Sequence, residues 1–217
     1  MRESSKKFAL PPKRMSSSSG SSRPIYFPDS DFSRRKIPVT RQPAQEWFRV
    51  HRSDLPAIQF GIHAHHRFSH PKSLFPVLYL GGSVPTCLWE YFGDEMFGRN
   101  RVISAGRWDG CSLSRVDVPQ LGVCALGRAK TRDAMGVDKG SLLASDLNVP
   151  QSWALAIQEH PLAFGAIKYN SRFIDKPCLA LFDRSGLRAM LRETLLGTLN
   201  SLDAAVNWLD ARKVSLV

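Results

Sequence analysis

The sequence has few cysteines and lacks the common phosphate-binding and metal-binding motifs. Its four cysteines are far apart and form no CxxC pair, so neither a zinc ribbon nor thioredoxin-like redox chemistry is supported. The GxGxxG and GxxxxGK[ST] loops and the HExxH helix motif are absent. No run approaches the roughly 20 apolar residues of a membrane span, and the N-terminus lacks the apolar region of a signal peptide. We therefore expect a cytoplasmic protein without a membrane segment.

Acidic residues are in the minority. The chain of 217 residues has 30 Lys and Arg against 19 Asp and Glu, a formal net charge of +11. Nine basic and three acidic residues fall within 1–36, around the serine run from Ser16 to Ser22. Such a segment buries too little apolar surface to offset the entropy lost on ordering. We predict that residues 1–43 form a disordered basic tail and that residues 44–217 form one domain ordered from near Glu46. Residues 25–27 can dock on that domain, and a basic arm for nucleic acid or a partner protein is the functional alternative.

Hydrophobic periodicity predicts a mixture of strands and helices. Strands are expected at 47–51, 76–80, 112–118, 121–126, 164–169, 177–182 and 214–217, and helices at 84–97, 149–159 and 187–209. Ser83 should cap the first helix, and a leucine repeat predicts that the last helix is long. A polar loop is expected between Gly127 and Asn148. Because the elements follow no regular strand-helix-strand repeat, we expect a mixed α+β domain rather than a doubly wound sheet.

A set of short motifs follows one another in a particular order. These are Trp47–Val50, Arg67-Phe68, Leu78-Tyr79-Leu80, Trp89-Glu90, Tyr169–Arg172 and Leu179–Phe182. In order and spacing they resemble the RES domain family, named for its shared Arg, Glu and Ser, over most of the predicted domain. The chain departs from the family at His66, where Gly is usual, at Ser69–Pro71, where Asn-Pro-Pro-Gly is frequent, and at Gly81, where Ala is usual.

The resemblance implies a fold, an activity and a partner. The fold would be ADP-ribosyltransferase-like, with a mixed β-sheet core, flanking helices and the long C-terminal helix predicted above. The protein would be an NAD⁺ phosphorylase or glycohydrolase, for which NAD⁺ is a substrate and phosphate or water the acceptor. No separate cofactor is implied. It would act as a toxin that depletes NAD⁺ and is neutralised by an antitoxin with a helix-turn-helix domain.

The resemblance also implies which residues form the site. The catalytic residues would be Glu90, Arg67 and Ser171, and the residues that bind NAD⁺ would be Arg49, Arg67, Tyr79, Tyr169 and Ser171. A carboxylate can stabilise the positive charge that develops on the ribose as nicotinamide leaves, and a guanidinium offers a fork of donors to a diphosphate. Glu90 lies off the apolar face of its predicted helix, which is compatible with a place in a cleft.

The histidine-rich stretch from His63 to His70 has two readings. Imidazoles are common metal ligands, but no acidic residue or cysteine stands among these histidines to complete a metal site. We therefore predict no metal, and consider the stretch either loop surface or, if phosphate is the acceptor, an anion-collecting loop.

Three other functions stay open. The same fold and a catalytic glutamate also serve ADP-ribosyl transfer to a macromolecule, although Leu88-Trp89-Glu90 lacks the Glu-x-Glu of arginine-modifying transferases. A non-catalytic nucleic-acid-binding protein would explain the basic tail, but the domain lacks the basic helix or aromatic-basic strands of such modules, so we do not expect direct binding. A RES-like domain that binds without catalysis is the third.

Overall fold

A computed structural model of the chain describes residues 26–73, 75–96, 101–184 and 186–217. The strands are β1 (Val39–Gln42), β2 (Gln45–Arg52), β3 (Val77–Gly81), β4 (Val102–Ile103), β5 (Cys111–Val118), β6 (Leu121–Ala125), β7 (Ala166–Asn170), β8 (Pro177–Phe182), β9 (Arg192–Thr198) and β10 (Ser215–Leu216). The helices are α1 (Val84–Met96), α2 (Ala105–Asp109), α3 (Ala129–Met135), α4 (Lys139–Leu142), α5 (Asn148–Glu159), α6 (Leu187–Met190) and α7 (Asp203–Asp210). Short 3-10 helices span Phe32–Arg34 and Leu199–Ser201.

Eight of these strands form one sheet, in the order β1-β6-β7-β8-β3-β2-β5-β9. Strands β6 and β7 are parallel, and every other neighbouring pair is antiparallel. Strands β4 and β10 form a separate parallel pair. A mixed sheet with helices around it confirms the α+β class. The neighbours β5 and β6 in sequence lie far apart in the sheet, which sequence reasoning did not show.

The central strands of the sheet are buried on both faces. In β8, Ala180 and Phe182 pack with α5 and the segments around it, while Leu179 and Leu181 pack into a cluster with Leu187 and Leu191. Successive side chains of a strand point to opposite faces, so this alternation places core on either side. A third cluster joins α1, α2 and α7 to one end of β2 and β5.

The predicted boundary at residue 44 is wrong for the described part of the tail. Strand β1 pairs with β6, and Phe32 and Ile37 are buried in the cluster around α5. The backbone of Tyr26 bonds the side chains of Ser141 and Trp153, as docking of residues 25–27 predicted. Phe32 and Ile37 order this segment despite its polar composition, because the domain provides the apolar surface on which they are buried. Residues 1–25, which carry the serine run, lie outside the described residues.

The predicted long C-terminal helix is wrong. Its leucine repeat is divided among α6, β9 and α7, and β9 pairs with β5 at the edge of the sheet. A spacing of four residues suits a strand, whose period is two, as well as a helix. Gly197 has a φ of +152°, a conformation that other residues avoid, and it lies in the middle of the stretch. Leu195 is 65% exposed, so it does not serve as core.

The segment expected to be a polar loop contains two short helices. Gly136, with a φ of +73°, ends α3, and the Asp138 carboxylate accepts hydrogen bonds from the backbone N–H groups of Gly140 and Ser141 at the start of α4. A C-terminal glycine and an N-cap aspartate two residues apart are a recognisable signal in the sequence. None of the helices in the described ranges is both long and apolar enough to cross a membrane.

Candidate active site

Glu90 projects from the exposed side of α1, and both of its carboxylate oxygens are engaged. The Ser171 hydroxyl donates to Oε1 at 2.6 Å, and the Tyr169 hydroxyl donates to Oε2 at 3.1 Å. Burial and the nearby Glu90 charge hold the pKa of Tyr169 well above its usual value, so this hydroxyl stays protonated and able to donate. The two bonds hold the carboxylate in one orientation.

A glycine in α1 allows this contact. A Cβ on Gly93 would lie 2.6 Å from the ring of Phe173, so only glycine lets the chain after β7 approach the helix this closely. The same segment is closed by its own turn, in which Ser171 N–H donates to the Lys176 carbonyl at 2.7 Å. The turn between β7 and β8 therefore delivers Ser171, which is buried, to a helix that lies far from it in the sequence.

The carboxylate faces a cavity of about 790 Å³. Five of the predicted site residues line it, namely Arg49, Arg67, Tyr79, Glu90 and Tyr169. Ser171 does not line it but bonds Glu90, which does. Cavities of about 300–1,000 Å³ are the usual size of sites for small molecules and cofactors. The structure thus brings together all six residues that the sequence predicted.

Arg67 lies in the loop before β3, and its guanidinium reaches across the cavity wall. Its Nη1 donates to the carbonyls of Leu142 (2.9 Å) and Ala144 (3.2 Å), which are neutral partners. Burial lowers the pKa of Arg67, and the positive charge of Arg172 lowers it further. In the part of the chain that the structure describes, no carboxylate forms an ion pair with Arg67, and such a partly buried cation is suited to an anionic ligand.

Arg49 on β2 is held in a similar manner. Its Nη1 donates to the carbonyls of Ala57 and Gln59, the latter at 3.1 Å. Burial lowers its pKa to about 10, so the guanidinium is still charged at neutral pH. The cavity therefore has two cations whose hydrogen bonds go to backbone carbonyls.

Tyr79 on β3 uses its hydroxyl to fix the loop that carries Arg67. The hydroxyl oxygen accepts a hydrogen bond from the backbone N–H of Phe68 at 3.0 Å. Burial raises the pKa of Tyr79, so the side chain is neutral. Its ring makes an edge contact with His66, with the ring centres 5.1 Å apart.

Two histidines of the loop, His65 and His66, lie at the cavity. Burial and the charges of His63 and His65 lower the pKa of His66 to about 4, which leaves it neutral at physiological pH. Across the part of the chain that the structure describes, no group of three or more His, Cys, Asp or Glu side chains is arranged to hold a metal ion.

A family model for the RES domain matches residues 46–197. The chain belongs to the RES domain family. No curated protein matches it in sequence. Among solved structures it is similar to a chain of the M. tuberculosis MbcT–MbcA toxin–antitoxin complex, with 17% identity and a TM-score of 0.58, over 86% of this chain and 99% of that one. At this identity the likeness concerns the fold.

In this RES domain the cavity also has charged residues that the sequence analysis missed. Arg172, next to Ser171, forms an ion pair with Asp94 of α1. Lys139, which also lines the cavity, lies 3.6 Å from Asp175, and Arg132 donates to the Leu126 carbonyl at 2.8 Å. The sequence contained a signal for Arg172, because this residue belongs to the Tyr169–Arg172 motif. It contained no such signal for Lys139 and Arg132, because both lie in the segment that was expected to be a loop.

Proposed function

We propose that this RES domain cleaves the bond between nicotinamide and ribose in NAD⁺, with phosphate or water as the acceptor. The observation that carries the proposal is the Glu90 carboxylate, held by two hydroxyl donors and facing a cavity with two arginines. Within the described residues, these arginines donate to neutral backbone carbonyls. The carboxylate can stabilise the positive charge that develops on the ribose of NAD⁺, and the arginines can bind its negatively charged diphosphate.

Glu90 acts on the ribose. Nicotinamide leaves as a neutral group with the electron pair of the C1′–N bond, and positive charge develops on the ribose. A carboxylate fixed beforehand stabilises that charge without reorganising during the reaction. Ser171 and Tyr169 hold Glu90 at its two oxygens, and in this role they position the carboxylate rather than attack the substrate. The chain needs no general base to expel nicotinamide.

The arginines bind the diphosphate. Arg67 and Arg49 have guanidinium N–H groups beyond the Nη1 atoms that bond the backbone, and such groups match phosphate oxygens in geometry and charge. The rings of Tyr79 and His66, neutral at physiological pH, provide an apolar wall on which a flat heterocycle can pack.

The acceptor completes the reaction. A new bond forms between C1′ and an oxygen of phosphate or water, and the acceptor's proton passes to solvent. Phosphate would give the ribose 1-phosphate ester of ADP-ribose, and water would give ADP-ribose. The cavity's excess of cations favours phosphate being held beside the substrate, which is the anion-collecting role considered for the loop around His66.

Nicotinamide release is the test of the activity. The full chain is incubated with NAD⁺, with and without inorganic phosphate, beside Glu90→Gln. Glu159→Gln, an exposed glutamate at the end of α5, is the control. We expect Glu90→Gln to lower kcat about 100- to 1,000-fold and the control to leave it unchanged. Folded wild-type protein that releases no nicotinamide would overturn the proposal, and equal release by Glu90→Gln would overturn the role of Glu90.

We also infer that the protein acts as a toxin with an antitoxin partner that has a helix-turn-helix domain. Membership of the RES family and a fold shared with a chain from a solved toxin–antitoxin complex support this inference. Expression of the wild-type chain should stop growth and lower cellular NAD⁺, Glu90→Gln should do neither, and co-expression of a small neighbouring reading frame should restore growth. Growth arrest that persists in Glu90→Gln would contradict a toxin that works by this chemistry.

A further inference from the structure

A buried glutamine of α5 bonds the loop that carries Arg67. Gln151 is 4% exposed, and its Nε2 donates to the carbonyls of Ala64 (2.6 Å) and His66 (2.9 Å). Both amide hydrogens are therefore used on one loop, at carbonyls on either side of His65. The His66 carbonyl also accepts from the Ser69 N–H at 3.2 Å, which closes the turn around Arg67.

The bonds between this loop and the region of α5 run in both directions. Gln151 donates from the helix to the loop, and Arg67 donates from the loop to the carbonyls of Leu142 and Ala144, in the connection between α4 and α5. A third attachment, the bond from Phe68 N–H to Tyr79, fixes the far end of the loop to β3. These three attachments hold the loop on both sides of Arg67 and keep its guanidinium at the cavity wall.

We propose that Gln151 is a positioning residue for Arg67 and thereby sets the affinity of the site for the diphosphate of its substrate. The inference rests on the proposed function for the identity of that substrate. Without the amide, two loop carbonyls lose their donor in a buried place, and the loop must move to find water. Arg67 moves with it, whereas Glu90 and Ser171 are on other elements and keep their bond to each other. Tyr169 packs edge-on against Phe68, with the ring centres 4.9 Å apart, but its backbone is held in β7.

The chain provides a matched control in the same helix. Gln158 lies two turns after Gln151 and is 2% exposed. Its amide also bonds a loop, by accepting from the Ser73 hydroxyl and donating to the Phe75 carbonyl at 3.4 Å, but neither Gln158 nor these partners line the cavity. Gln158→Met and Gln151→Met remove the same group from the same helix at similar burial, so a purely structural effect should be similar in both.

Kinetics separate a positioning role from a structural one. For Gln151→Met we expect KM for NAD⁺ to rise about tenfold or more while kcat changes less than about threefold, because the lost contact serves binding in ground and transition state alike. Gln158→Met should leave KM unchanged. Combined with Arg67→Ala, Gln151→Met should add almost nothing, since its effect passes through Arg67. An unchanged KM, an equal rise in Gln158→Met, or full additivity with Arg67→Ala would each overturn the inference.

Hydrogen exchange tests the inference independently of activity. The backbone amides of residues 63–68 should exchange faster in Gln151→Met than in Gln158→Met. If Gln151→Met folds poorly, Gln151→Glu replaces it. This variant keeps the shape of the side chain but turns the donor into an acceptor, and it should also exchange faster. Equal exchange in the Gln151 variants and wild type would refute positioning by Gln151. Absence of nicotinamide release in wild type would instead refute the proposed function, and the exchange result would still decide the role of Gln151.

Discussion

The Ser171 hydroxyl lies 2.6 Å from Oε1 of Glu90, and this hydrogen bond joins the turn after β7 to α1. The contact joins two of the three residue types for which the RES family is named, the glutamate and the serine. The bond orients the carboxylate before a substrate arrives, and it makes the position of Glu90 depend on a segment distant in sequence. The chemistry of the site can therefore be weakened without changing Glu90 itself.

Removal of the Ser171 hydroxyl should slow the reaction. A hydrogen bond to a charged group contributes about 1.5–3 kcal/mol, so we expect Ser171→Ala to lower kcat about 10- to 100-fold. Tyr169→Phe, whose bond to Glu90 is longer at 3.1 Å, should have the smaller effect. Steady-state nicotinamide release measures both. Ser114→Ala is the control, because Ser114 is also buried and bonds His51 at 2.9 Å, outside the cavity. A kcat equal to that of the control would contradict the role of Ser171.

Replacement of Arg67 by lysine should weaken binding more than turnover. Lysine keeps the charge but loses the planar fork, so we expect KM for NAD⁺ to rise about 10- to 100-fold. Arg101→Lys provides the comparison, since Arg101 also donates to a backbone carbonyl, that of Arg212 at 3.2 Å, and does not line the cavity. If both variants show the wild-type KM, Arg67 does not bind the substrate's diphosphate.

The stability of the fold should decrease in mild acid through His66. Its pKa is about 4 in the folded protein, below the ordinary 6.5, so the unfolded chain binds the proton more readily between these values. The contribution of neutral His66 to the free energy of unfolding is therefore fully present above pH 6.5 and is lost as the pH falls toward 4. The ring is partly open to solvent, so the effect should be modest. Thermal unfolding from pH 7 to 4 should show a smaller loss of Tm in His66→Gln than in wild type; equal losses would exclude His66 as a source.

The contacts of the predicted tail can be tested through Phe32. This residue is 3% exposed and packs edge-on against Trp153, with the ring centres 5.3 Å apart. We expect Phe32→Ala to lower the free energy of unfolding by about 3–5 kcal/mol, as for other buried phenylalanines. Phe27→Ala removes a phenylalanine that is 53% exposed and should change stability little. Denaturant unfolding of both decides the matter; equal stability would mean that this segment does not belong to the core in solution.

Local pattern in the sequence determined the elements with clear periodicity and flanking signals. Helix α1 begins after Ser83, whose hydroxyl accepts from the Thr86 N–H at 3.3 Å, as the cap signal predicted. The apolar runs that became β3 and β8 lie in the middle of the sheet. The motifs around Arg67, Glu90 and Ser171 were readable because their order and spacing are properties of the chain alone. The family, the α+β class and the predicted site residues follow from them.

Only the tertiary structure decided the pairing of distant segments. The leucine repeat after Leu187 became strand β9 because the edge of β5 offered it a partner, and Phe32 joined the core because α5 offered it a surface. The bonds of Gln151 to the Arg67 loop likewise leave no periodic trace, since a glutamine donates to whichever carbonyl folding brings near. Periodicity indicates which face of a helix or strand is apolar. It does not indicate which segment packs on that face, because this depends on contacts between residues far apart in the sequence.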